Sequence, residues 1–375
     1  MSFRTTISWL IFPLTMWYAV GVAVRNFLYA VGLLKQEAPH VTTIGVGNLA
    51  TGGTGKTPHV EYLLRLLSGK YRTAMLSRGY KRQSKGYVLD DGSHDPLLLG
   101  DEPALVAAKH PEVQVAVCND RLEGVHRLIA PVPVVTDEAD ADEEQEAPSP
   151  IQLIVLDDVY QHRRIKPSIN ILLTEYQHPF FRDHILPYGN LREFRSDRDR
   201  ASIVIVTKCP ARLNPIEKHN IIHDLKLQNY QKVFFSYLQY GALQTLDGHP
   251  AEVDLRRMDN VLLLTGIAHP APMLEELRRT CKVQHLAFGD HHDYTRRDMA
   301  RIRDTFQSMP GQRKVIVTTE KDAVRLKGKT EGLPVYVLPI EVAFHKDKDI
   351  DFDQVIESIV RENISFLSKL NIWNR

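Results

Sequence analysis

The chain has 375 residues, a formal net charge of +1 at pH 7 and 43% hydrophobic content. That length leaves room for two domains, and the near-neutral balance excludes a global field for nucleic acid in an otherwise ordinary globular composition. Cys118, Cys209 and Cys281 stand apart, so neither a disulfide framework nor a Cys-rich metal site is indicated, and a reducing compartment fits.

Residues 5–24 carry no charge and include Trp9, Ile11, Phe12, Trp17 and Tyr18. A spanning helix needs about 20 mainly apolar residues, so length alone allows one. Its Ser/Thr content and Pro13, better placed at a helix start than inside one, argue against a span. From Trp17 the pattern Trp17, Val20, Val24, Phe27, Leu28, Val31, Leu34 marks one apolar face, with Arg25 and Asn26 off it. Three readings stay open: a helix lying in a membrane interface, a helix buried on the core, and a span or signal peptide. Trp and Tyr favour the first.

Next comes an apolar β-branched run at 41–46, which reads as a buried strand, followed by Gly47-Asn48-Leu49-Ala50-Thr51-Gly52-Gly53-Thr54-Gly55-Lys56-Thr57-Pro58. Its tail fits the phosphate-binding loop pattern, with Ala50 where the first Gly more often stands. Val60, Leu63, Leu64 and Leu67 then repeat at helical spacing. Small residues let backbone N–H groups wrap a phosphate chain, and the helix dipole is aimed at the same place. Thr51, Gly52, Gly53, Thr54 and Gly55 form the cradle, Lys56 is the cation for the β- and γ-phosphates, and Thr57 is a Mg²⁺ ligand. A nucleotide site of this kind argues against a cleaved, secreted product.

The chain continues as alternating strands and helices. A strand at 73–77 runs into Ser77-Arg78-Gly79-Tyr80, and residues 86–92 read as a hairpin. Gly100-Asp101-Glu102-Pro103 opens a helix, a strand spans 113–117, and a helix follows over 120–130. Residues 137–150 form an acidic, Pro-flanked block that reads as a disordered surface insertion. A buried strand over 151–156 then ends in Asp157-Asp158. An apolar strand followed by acid, downstream of a phosphate loop, is the Walker B arrangement, and its carboxylates can hold Mg²⁺. Strands at 169–173 and 203–206 complete a domain over 36–231. A connector over 232–255 and a second, smaller α/β domain over 256–375 follow, the latter closed by a helix near 351–367.

The chain resembles the tetraacyldisaccharide 4′-kinase (lipid A 4′-kinase) family. The resemblance rests on the phosphate loop together with Ser77-Arg78-Gly79-Tyr80, Gly100-Asp101-Glu102-Pro103, Leu156-Asp157-Asp158, Gln161-His162, Leu191-Arg192-Glu193, Phe288-Gly289-Asp290-His291-His292 and Thr319-Glu320-Lys321-Asp322-Ala323-Val324, in that order. It implies a P-loop NTPase-type, mostly parallel sheet flanked by helices, with a second α/β domain and an N-terminal apolar helix. The implied enzyme phosphorylates the 4′-hydroxyl of the lipid A disaccharide 1-phosphate with ATP and Mg²⁺, at the cytoplasmic face of the bacterial inner membrane. The implied membrane-contacting helix spans 1–35, and neither a nucleic acid nor a protein partner is expected. Val159-Tyr160 and Tyr188-Gly189-Asn190 depart from the family's usual Gly-Phe and Ala-Gly-Pro, which bears on substrate fit.

Through the same resemblance Asp101 is the catalytic base, His291 its partner (His292 being the other candidate), and Glu193 a direct or more remote Mg²⁺ contact, one hydrogen bond or water away from the ion. Arg78, Arg121, Gln161 and Arg192 are substrate contacts, while Lys321 and Asp322 receive no role. From residue type and position alone, Asp101 reads equally well as a helix N-cap. A GTPase is disfavoured because Thr207-Lys208-Cys209-Pro210 lacks the carboxylate that reads guanine. A membrane-associated ATPase acting on a protein partner is the competing class.

Overall fold

The computed structural model describes residues 3–130, 150–267, 270–290, 292–346 and 350–373. The acidic block before Pro150 and His291 lie outside them. The chain divides into two compact units, residues 1–238 with 342–375 and residues 239–341.

The first unit opens with helix α1 (Phe3–Ala30) and strand β1 (Thr42–Asn48), followed by α2 (Lys56–Leu67), β2 (Thr73–Ser77) and β3 (Val88–Leu89). Helices α3 (Pro96–Leu99) and α4 (Asp101–Lys109) precede β4 (Gln114–Val117), α5 (Arg121–Ile129), β5 (Leu153–Asp157) and β6 (Ile169–Glu175). Strand β7 (Ile203–Thr207), α6 (Pro215–Leu225) and β8 (Lys232–Tyr240) complete this run. The second unit carries β9 (Gln244–Thr245), β10 (Asn260–Thr265), α7 (Ala271–Arg278), β11 (Val283–Ala287), α8 (Arg296–Ser308), β12 (Lys314–Thr318), α9 (Glu320–Leu326) and β13 (Val335–Val337). Strand β14 (Ile340–Phe344) and α10 (Phe352–Trp373) end the chain.

Among the described residues one sheet has nine strands in the order β14-β8-β7-β6-β1-β5-β2-β4-β3. Pairing from β8 to β4 is parallel throughout. Strand β1 sits in the middle, so its C-terminal end opens where the order of connections reverses, the place where open α/β sheets bind ligands. The run 86–92 forms no hairpin of its own. Strand β3 pairs antiparallel with β4, across two intervening helices, and closes that edge of the sheet.

The core of the first unit explains two departures from the expected domain limits. Residues 232–240, read as the start of a connector, are a strand paired to β7, because Phe234 and Phe235 are buried against the sheet. The closing helix belongs here too: Phe352, Ile356 and Val360 of α10 join Ile44, Val46, Val60 and Leu64 in one apolar cluster. The second unit has its own sheet, β11-β10-β12-β13-β9, parallel except for β9.

Helix α1 runs through Pro13 rather than starting at it, at the cost of one helical hydrogen bond. Tyr18, Val22, Arg25, Asn26 and Tyr29 fall on one stripe at helical spacing, and this stripe is docked. Val22 is buried, Tyr18 Oη donates to the Arg192 carbonyl at 3.0 Å, and Arg163 stacks over the Tyr29 ring at 5.1 Å. The apolar face looks outward instead, with Trp17 77% and Phe27 63% exposed. That rules out burial of this face on the core of this chain. Among the described residues, no helix is long and apolar enough to cross a membrane.

Candidate active site

The loop between β1 and α2 is built by turning its carbonyls toward the protein. Thr207 Oγ1 donates to the Thr54 carbonyl at 2.9 Å, and the His59 ring contacts the Gly55 carbonyl at 2.7 Å through Nδ1. In a trans peptide the N–H points opposite the C=O, so the Gly55 and Lys56 amides face away from the body. Gly55 caps α2 with φ of 85° and Gly52 has φ of 112°, both in the left-handed region that favours glycine. His59 Nε2 lies 2.9 Å from Ser236 Oγ on β8, and burial lowers its pKa to about 4. His59 is a residue the sequence reading missed, although its place four residues after Gly55 is the signal that could have found it.

Strand β5 delivers Asp157 and Asp158 beside this loop. Asp157 is buried and receives Ser77 Oγ at 3.1 Å on one oxygen, while its Oδ1 has no hydrogen-bond partner. Burial first, and the neighbouring Asp158 second, raise its pKa to about 6. Asp158 adopts φ of 46°, a left-handed conformation uncommon for a non-glycine residue, just past the end of β5. Its Oδ1 lies 3.6 Å from Lys56 Nζ and 3.2 Å from Arg192 Nη2. Burial opposes its ionisation, but Lys56 and Arg192 outweigh that and hold its pKa below the usual carboxylate value.

A buried carboxylate oxygen without a partner, next to a second carboxylate, fits a divalent cation. No cluster of three or more His, Cys, Asp or Glu able to hold a metal occurs among the described residues. Mg²⁺ needs none when one or two carboxylates share it with phosphate oxygens and water. Glu193 does not belong to this set. Its two oxygens are taken by Arg25 of α1 and by Arg200, with Arg163 and Asp197 alongside, Arg163 lying 3.9 Å from Asp197. Three guanidiniums against two carboxylates make a poor place for another cation, so direct coordination of Mg²⁺ by Glu193 does not fit this geometry.

Asp101 is the first residue of α4, and Gly100 holds the cap position. The cap reading of Asp101 is therefore replaced. Gly100 has φ of 90°, and a Cβ there would lie 3.0 Å from the Tyr80 carbonyl, so the Arg78–Gly79–Tyr80 turn packs directly on the start of this helix. Arg78 itself is exposed.

Arg121 is buried and brackets strand ends, donating to the Cys118 carbonyl at 2.7 Å and the Asp157 carbonyl at 3.1 Å. Gln161 donates to the Asn48 carbonyl at 2.8 Å, which leaves its buried Oε1 without a partner. Arg121 and Gln161 line a cavity of about 390 Å³ together with Arg25, Tyr29, His162 and Arg163. Val159 and Tyr160, read as affecting substrate fit, are core residues. Tyr160 packs so closely on β1 that a Cβ at Gly47 would lie 2.6 Å from it.

In the second unit Asp322 acquires a role. Buried, it accepts the Gly266 N–H at 2.9 Å, Thr319 Oγ1 at 2.7 Å and Tyr294 Oη at 3.0 Å. It thereby ties together the turns that follow β10 and β12 with the residue that precedes α8.

A family model described as tetraacyldisaccharide-1-P 4′-kinase matches residues 7–361. Among curated relatives, a tetraacyldisaccharide 4′-kinase of Bacteroides thetaiotaomicron is 42% identical over 371 residues, covering 95% of this chain and 93% of its own. One from Flavobacterium johnsoniae is 41% identical over 356 residues, covering 95% and 98%. A solved structure of LpxK from Aquifex aeolicus, described as an "apo" form in complex with ATP, matches with a TM-score of 0.71 at 26% identity. It covers 96% of this chain and 100% of that one.

Proposed function

The chain belongs to the tetraacyldisaccharide-1-P 4′-kinase family, and from that premise we propose how its residues transfer a phosphoryl group from ATP to the 4′-hydroxyl of the tetraacyldisaccharide 1-phosphate precursor of lipid A. The observation that carries the reading is the meeting of Lys56, Asp157 and Asp158 at the outward-facing amides of the loop. ATP supplies the transferred phosphoryl group, and Mg²⁺ supplies charge neutralisation on its oxygens.

Thr51, Gly52, Gly53, Thr54 and Gly55 bind the phosphate chain through their backbone. Lys56 neutralises charge that builds up on the transferred group, an effect worth most where water is excluded. Thr57, Asp157 and Asp158 would hold the metal, and Asp157 gives up its proton more readily once a cation is beside it. Asp101 orients the acceptor hydroxyl and takes its proton at the carboxylate. Arg121, Gln161 and Arg192, with Arg78 at the rim, supply the positive charge and amide that fit an anionic sugar phosphate. His291 lies outside the described residues and enters no step here.

The outward apolar face of α1, with Trp17 and Phe27 exposed, suits a helix lying in a lipid interface. In this reading the enzyme works on the bacterial inner membrane, at the side where ATP is available. The test is turnover of purified protein with and without the lipid disaccharide in mixed micelles. Phosphate transfer that requires the acceptor supports the reading. ATP hydrolysis indifferent to it would instead indicate an ATPase serving a protein partner.

A further inference from the structure

Glu193 joins two parts of the first unit that lie far apart in sequence. Its carboxylate has no solvent exposure and is gripped by Arg25 of α1 on one oxygen and Arg200 on the other. Around it Asn26 Nδ2 donates to both oxygens of Asp197, at 3.1 and 3.0 Å, and Arg163 Nη1 donates to Asn26 Oδ1 at 2.6 Å. Arg200 is itself held, donating to the Tyr160 carbonyl at 2.9 Å and stacking on the Tyr160 ring at 4.3 Å. One end of this cluster is therefore the core and the other is α1.

The segment carrying Glu193 is also the outer wall of the phosphate loop. The Asn190 carbonyl accepts the Thr51 N–H at 2.7 Å, and the Arg192 N–H donates to the Leu49 carbonyl at 2.7 Å. Arg192 then reaches Asp158 with its guanidinium at 3.2 Å, while its carbonyl receives Tyr18 Oη of α1 at 3.0 Å. Helix α1 thus holds residues 192 and 193 from both sides, by a hydroxyl on one and a guanidinium on the next.

We propose that Glu193 is a positioning residue that links the seat of α1 to the phosphate loop, so that the Arg192–Asp158 pair is set correctly only when α1 is docked. An ion pair removed from water is directional and costly to break on one side only, because the partner charge stays buried. Loss of the Arg25–Glu193 contact leaves residues 190–193 free to shift, and small misplacements beside a reacting phosphate are expensive in rate. The surface dependence that follows rests on the reading of α1 as lipid-facing. A lipid interface that holds α1 in place holds the Asp158 carboxylate in place as well.

The experiment compares Glu193→Gln, Arg25→Gln and Arg25→Lys with the unsubstituted protein. Phosphorylation of the lipid disaccharide is followed in mixed micelles at varied acceptor, ATP and Mg²⁺. Vesicle binding is followed in parallel by co-sedimentation, and folding by thermal melting. Both Gln variants should lower kcat by about 3- to 30-fold, the range of network couplings, with any rise in half-saturating Mg²⁺ shared equally by the two. Arg25→Lys should recover most of the loss, and the double Gln variant should fall no further than either single one. If Glu193→Gln does not fold, Arg25→Gln carries the test, since Arg25 is partly exposed. Wild-type kcat in Arg25→Gln overturns the proposal, as does a rise in KM for the acceptor alone, which would make Arg25 a plain substrate contact. A raised Mg²⁺ requirement confined to Glu193→Gln would restore a metal role and overturn it equally. If wild-type protein phosphorylates the acceptor but does not bind vesicles, the lipid reading of α1 fails, while the kcat comparison still decides the link.

Discussion

Lys56 Nζ and Asp158 Oδ1 stand 3.6 Å apart, one at the first turn of α2 and the other just past β5, with Arg192 closing on the same oxygen at 3.2 Å. The cation intended for phosphate is thus held by a carboxylate suited to a metal. Replacing Lys56 by Ala should reduce phosphoryl transfer by about 10²–10³-fold or more, since its charge acts where negative charge accumulates. Asp158→Asn should do the same without unfolding, because Asn accepts the left-handed φ of 46° found there. Near-normal turnover in both variants would remove the phosphate-loop assignment.

Asp101 offers a cleaner separation of chemistry from stability, since Gly100 and not Asp101 holds the helix cap. Asp101→Asn keeps the shape of the side chain and removes its negative charge, whose interaction with the first turn of the helix is worth about 0.3–1 kcal/mol. Its kcat should fall by about 10²–10⁴-fold, the usual worth of a general base, with ATP binding retained. Wild-type kinetics in this variant, read beside its melting curve, would end the catalytic role.

His59 predicts a pH dependence. Burial lowers its folded-state pKa from 6.5 to about 4, so the unfolded chain binds the extra proton between those values and the folded chain does not. Stability is therefore fully present above about pH 6.5 and is lost as pH falls toward 4, by about 3 kcal/mol for this one group. In His59→Asn the acid-side loss should be shallower by that amount. Denaturant unfolding of both proteins at pH 7 and pH 4.5 measures it, and parallel curves would contradict the burial argument.

Asp322 should matter for the second unit alone. Asp322→Asn can keep its oxygen on Gly266 N–H and Thr319 Oγ1, but its amide N–H₂ then reverses the bond to Tyr294 Oη and leaves that buried hydroxyl proton without its acceptor, a cost of about 1–3 kcal/mol. Local hydrogen exchange around β10 and β12 should rise, while protection in β1 and β5 stays unchanged. Exchange rising equally in both sheets would refute this local role.

What the sequence determined was everything written within one stretch of chain. The phosphate loop, its Lys and Thr, the Asp pair after an apolar strand, and the strand–helix alternation all follow from spacing along neighbouring residues, because loop, dipole and periodicity are local physics. The resemblance joined these stretches in order but could not say which groups touch. Glu193 looked like a metal contact because it follows Arg192 near the site, yet its partner Arg25 lies 168 residues away and claims it for an ion pair. The apolar face of α1 drew attention in the sequence, whereas its polar stripe is what docks, since Arg25 and Asn26 find Glu193 and Asp197, acids that only the folded connection between β6 and β7 presents. Helix α10 reads as the end of a second domain and packs into the first, its apolar side completing the core beside β1. In each case the deciding energy is burial or charge pairing between distant segments, and only the tertiary structure brings those segments together.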